Sequence, residues 1–155
     1  MQSYTWFYSL ADALSPEKEQ ALAADFEYFL AQWKSHGTPV EGLIKIQYGR
    51  FVIVQSNPED SRPSGCSIDS LKKSVSAIID KHGLSVLDAS YVYYRSGTEI
   101  QATHFKELPK LATEGTLEAD TIVFDHSLSQ SDDLSKWELP LKQTWLKRYL
   151  PKVRQ

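Results

Sequence analysis

Apolar positions recur along this chain with two different periods, and the switches between them outline its elements. Between Ser15 and Gly37, the residues Leu22, Phe26, Phe29, Leu30 and Trp33 fall at i, i+4, i+7, i+8 and i+11, the stripe of an amphipathic helix. Ser15 suits the N-cap and Pro16 the first helical position, acids follow in the first turn, and Gly37 stands just past the end. A second stripe, Leu71, Val75, Ile78 and Ile79, predicts another helix with Gly83 as its C′ residue. Its start is capped by Ser67 or Asp69, with Gly65 supplying the preceding turn.

Strand patterns lie between these stripes. "YTWFYS", Tyr4 to Ser9, is short, aromatic and bounded by turn formers. "GLIKIQYGRFVIVQS" reads as a hairpin with Gly49-Arg50 as a two-residue turn. That register sets Tyr48 opposite Phe51 and Ile46 opposite Ile53 on one face, and Gln47 opposite Val52 and Lys45 opposite Val54 on the other. "SYVYYR", Ser90 to Arg95, predicts a fourth strand.

The order β-α-β-β-α-β predicts an α+β fold, a ferredoxin-like βαββαβ sandwich over residues 1–95, with both helices on one face of an antiparallel sheet. Thr5, Phe7, Val52 and Val54 are then expected on the opposite face, which is too apolar to stand bare. Residues 96–155 form a small C-terminal α+β extension. It contains a strand near Glu99 to Ala102, a helix from about His104 to Glu114 ended by Gly115, a strand from Thr121 to Asp125, and a polar loop including "HSLSQSDD". An aromatic, basic segment from Leu141 to Leu150 follows. Pro109 conflicts with the interior of that helix and restricts it to a turn or two.

Composition narrows the classes. With 155 residues, 41% apolar and 12% aromatic, the chain can bury an ordinary core. Its single cysteine excludes an internal disulfide, and the four histidines have no zinc-like spacing, so neither a metal nor a cofactor is expected. No segment reaches the length of a spanning helix and the N-terminus lacks a leader pattern, which reads as a cytoplasmic protein without a membrane partner. Charge is divided unevenly. Residues 1–140 hold 12 basic and all 20 acidic residues, whereas residues 141–155 hold Lys142, Lys147, Arg148, Lys152 and Arg154 and no acid. The acidic body argues against nucleic acid as a partner, including RNA stacking on the strand aromatics. The basic tail reads as an intramolecular or subunit-docking element, so a homo-oligomer stays open.

Topology then gathers the candidate chemistry. In a βαββαβ domain the exit of the first helix and the entrance to the second share one end of the sheet. His36 in "WKSHGTP" and Cys66 in "SRPSGCSIDS" are expected there, with Asp69 beside them and Arg62 or Arg95 close by. One reading is a binding loop for a small or anionic ligand, in which Ser64, Gly65, Ser67 and Arg95 join the helix N-terminus. A second is a thiol enzyme with Cys66 as nucleophile, His36 as base and Asp69 orienting it. A third gives these residues only structural roles, the cysteine packing as a small apolar side chain and the histidine closing a helix.

On "QWKSHGTPV", "GRFVIV", "SGCSIDSLKKSV", "DTIVFDHS" and "PLKQTWLKRYL" the chain resembles a family of small bacterial hypothetical proteins, some labelled ABC transporter ATPases. A P-loop requires GxxxxGK[ST], and none of the seven glycines begins one, so the chain is not a P-loop ATPase. Over roughly residues 92–145 the chain also resembles a GYF-related module, through a "GTEI" strand, "FKELPKLATEG", "DTIVF", Trp137 and Trp145. The glycine-tyrosine-phenylalanine signature is absent, so peptide recognition is not part of that resemblance.

Overall fold

The computed structural model describes residues 4–35, 40–58, 65–126 and 134–150. Among these residues the fold is mixed α+β, with two antiparallel four-stranded sheets and three α-helices. The sheets lie in two compact units, which change over in sequence between Leu87 and Asp88.

The first unit runs β1 (Tyr4–Leu10), α1 (Pro16–Ser35), β2 (Val40–Gln47), β3 (Phe51–Pro58), α2 (Gly65–Lys81) and β4 (Val86–Leu87). Its strand order is β2-β3-β1-β4, every pair antiparallel. Helix α1 begins as its sequence directs, with the Lys18 amide donating to Ser15 Oγ at 3.3 Å and Pro16 as its first residue. Leu22, Phe26 and Trp33 of α1 pack with Leu71, Val75 and Ile79 of α2 over Leu10, Val52 and Val54 of the sheet. Both helices therefore cover one sheet face. The turn that follows α2 is closed by Gly83, whose φ of 70° lets the Leu84 amide return to the Ile79 carbonyl at 3.3 Å.

Three expectations for this unit are corrected. The hairpin connection is three residues long, because Tyr48 and Gly49 both take positive φ (59° and 60°) and the Arg50 amide closes the turn on the Gln47 carbonyl at 3.1 Å. Register moves by one residue, pairing Ile46 with Val52 and Lys45 with Ile53, and a one-residue shift exchanges the faces. Val52 and Val54 consequently lie under the helices together with Trp6, Tyr8, Ile44 and Ile46, while Thr5 and Phe7 share the other face with Phe51 and Ile53. Helix α2 starts at Gly65, so Ser67 and Asp69 stand inside the helix instead of capping it.

The fourth strand is also a different one. "SYVYYR" does not join the first sheet; the two-residue β4 fills that place beside β1. Tyr91–Ser96 is β5 of the second unit, followed by β6 (Glu99–His104), α3 (Leu108–Glu114), β7 (Ile122–Phe124) and β8 (Glu138–Pro140), with sheet order β6-β5-β7-β8. Pro109 occupies the first turn of α3, where its missing N–H is harmless, because His104 to Glu107 is a strand end and a 3-10 turn. Gly115 (φ 85°) closes α3 with its amide on the Ala112 and Leu111 carbonyls. Val92, Tyr94, Leu108, Leu117, Val123, Leu141 and Leu146 form the core of this unit.

Candidate functional site

Helix α2 packs into the core through Leu71, Val75 and Ile79, all buried, which sets the direction of its axis. The backbone N–H groups of its first turn have no intrahelical acceptors, and the aligned peptide dipoles make that end positive. No acidic residue lies in the first turn, whereas α1 carries Glu17 and Glu19 in its own. The positive end of α2 is therefore not offset by carboxylates of its first turn.

Backbone pairing at the sheet edge adds a second geometric fact. Val40, the first residue of β2, pairs with Pro58, the last of β3. The start of β2 and the end of β3, the strand that precedes α2 in sequence, therefore lie side by side.

Of the residues singled out from sequence, Gly65, Cys66, Ser67 and Asp69 are brought into one stretch, the first five positions of α2, with Asp69 exposed. The side chains of Cys66 and Ser67 lie outside the described residues, as do His36, Arg62 and Ser64. Arg95 is elsewhere. It stands on β5 in the second sheet, where its Nε donates to Glu138 Oε2 at 2.7 Å and its guanidinium lies 5.5 Å from the Phe124 ring centroid. The expectation that Arg95 joins the α2 loop rested on a strand in the first sheet, and β5 is not that strand.

Two residues escaped the sequence reading. Arg50 is buried beside the turn, its Nε donating to the Leu10 carbonyl at 2.8 Å and Nη2 to the Ala11 carbonyl at 2.7 Å. Nothing in "YGRF" distinguishes it from an exposed turn arginine. His126, expected in a solvated loop, has its Nε2 sealed from solvent, and its ring stacks on Trp137 at 6.2 Å with Tyr93 6.0 Å away. The rest of "HSLSQSDD", residues 127–133, lies outside the described residues. The Asp125 amide donates to the Trp137 carbonyl at 2.7 Å, which continues the β7–β8 pairing one residue further and carries His126 inward. Burial pushes its pKa down to about 4, against a smaller upward pull from Asp125.

Among the described residues no three His, Cys, Asp or Glu side chains are grouped to hold a metal ion, and no helix is long and apolar enough to cross a membrane. No protein-family model, curated protein or solved structure matches the chain.

Proposed function

We propose that this is a binding protein whose small, anionic ligand meets the N-terminal end of α2. The observation that carries this reading is the first turn of a 17-residue, core-anchored helix that has no acidic residue of its own. Further support comes from the Val40–Pro58 pairing, which sets the start of β2 beside the end of β3. On this reading the amides of Gly65, Cys66 and Ser67 bind the anion, with Ser64 and His36 as further ligand-binding candidates.

A thiol enzyme is the second reading, and one observation favours it. Cys66 is the second residue of α2, a position at which the positive helix end stabilises a thiolate. His36 would then serve as base and Asp69 would orient it. A homo-oligomer is compatible with either reading.

We read the first unit as ferredoxin-like, on the order β1-α1-β2-β3-α2-β4 combined with strand order β2-β3-β1-β4 and both helices on one face. The second unit we read as GYF-related, on its β5–β6 hairpin, the α3 stop at Gly115, β7 and Trp137.

Alkylation of the chain's single cysteine separates these functions. Iodoacetamide should label Cys66 several-fold more slowly when inorganic phosphate is present, and urea-unfolded chain should label at a rate indifferent to phosphate. A folded-state rate that phosphate leaves unchanged counts against the anion site. A rate far above that of the unfolded chain near neutral pH is the mark of the thiol enzyme.

A further inference from the structure

Strand β2 has β3 as its only strand neighbour among the described residues, so its other edge presents a row of backbone donors and acceptors. The pairing of β2 with β3 is unbroken from Val40–Pro58 to Gln47–Phe51, without a bulge, and β2 contains no proline. Eight residues of regular edge are long enough to template another strand. The usual protections reduce to two charges, Glu41 and Lys45, with Leu43 between them at 52% exposure.

Residues 41, 43 and 45 share the face turned away from the helices, since their partners Asn57, Gln55 and Ile53 alternate with the helix-covered Val54 and Val52. Antiparallel pairing of two such edges about Leu43 sets Glu41 of each strand opposite Lys45 of the other, and Leu43 opposite Leu43. Both charges are then compensated and the exposed leucines cover one another. On the helix face the same register sets Gly42 opposite Ile44, a small residue against a large one. Parallel pairing would instead bring Glu41 beside Glu41 and Lys45 beside Lys45. The edge strand of the second sheet, β6, has no such symmetry, because antiparallel pairing about Gln101 sets Glu99 opposite Thr103.

We propose that the free edge of β2 is a homodimer interface, in which two copies of this chain join their first sheets antiparallel about Leu43. The occupant is a second copy because the strand is complementary in charge to itself, in one orientation only.

Sedimentation of the full chain tests it. Wild type is expected to dimerise reversibly, and Lys45→Glu, which places two carboxylates across each pair, should weaken the dimer about tenfold. Leu43→Lys, which puts like charges on the two-fold axis, should do the same. The exchange Glu41→Lys with Lys45→Glu keeps the complementarity and should restore wild-type association even if either single variant folds poorly. A wild-type chain that stays monomeric up to millimolar concentration overturns the proposal, as does a dimer that both Lys45→Glu and Leu43→Lys leave intact.

Discussion

Replacing Arg50 with alanine is expected to lower the free energy of unfolding by about 3 kcal/mol, a large fraction of what a domain of this size holds. The guanidinium binds the carbonyls of Leu10 and Ala11 through two nitrogens, and the Arg50 carbonyl in turn accepts from the Leu10 amide at 2.9 Å. Beside it the Gly49 carbonyl accepts from the Leu14 amide at 2.7 Å. The end of β1 and the start of α1 are thus stitched to the tip of the β2–β3 hairpin around one side chain. Truncation leaves two carbonyls short of their charged donor in a place where little water reaches, and hydrogen bonds to a charged donor are worth about 1.5–3 kcal/mol each. Arg50→Lys should recover part of the loss, since an ammonium is a single point and cannot span both carbonyls as the planar fork does. Urea unfolding at neutral pH measures both variants. An Arg50→Ala chain as stable as wild type would mean that the hairpin tip is held by other groups.

Acid should destabilise the protein before its carboxylates are protonated. Folded, His126 takes up a proton only near pH 4, whereas in the unfolded chain an ordinary histidine does so near 6.5. The unfolded state therefore binds more protons between those values, and stability falls as pH falls from about 6.5 to about 4, by about 3 kcal/mol across the whole interval. The depressed carboxyls behave differently. Asp25, held low first by its hydrogen bond to His82, and Asp88, held low first by Ser90, lose their contributions as pH drops through values below their ordinary range. Their window lies beneath that of His126. Unfolding midpoints in urea measured at pH 7 and pH 4.5 should diverge for wild type and converge for His126→Gln, which has no proton to take up. A wild-type midpoint that is flat over this range would mean that the ring opens to water with little cost.

Both of these residues mark the limit of what could be read from the chain alone. The helices were legible because their signals are local: Ser15-Pro16 at the start of α1, Gly83 at the end of α2, and an apolar stripe between caps. The hairpin was legible as a hairpin, but not in register, because the choice between two and three connecting residues depends on Tyr48 adopting positive φ and on where the Arg50 side chain finds its acceptors. Both are tertiary facts. "SYVYYR" carries the pattern of a buried strand in either sheet, and "VL" at 86–87 is too short to show a period. Pairing partners, not propensity, decided between them. At the site, the α2 helix could be found from sequence but its first residue could not, since Ser67 and Asp69 are as suitable for a cap as for an early helical position.

Anion binding at the first turn of α2 would be reported by the amide chemical shifts of that turn. Titrating the 15N-labelled full chain with inorganic phosphate should move the Gly65, Cys66 and Ser67 signals along saturable curves and leave those of Glu17 and Lys18, in the carboxylate-bearing first turn of α1, in place. Signals at Gly65 to Ser67 that stay still, or that drift linearly together with those of α1, would contradict anion binding there.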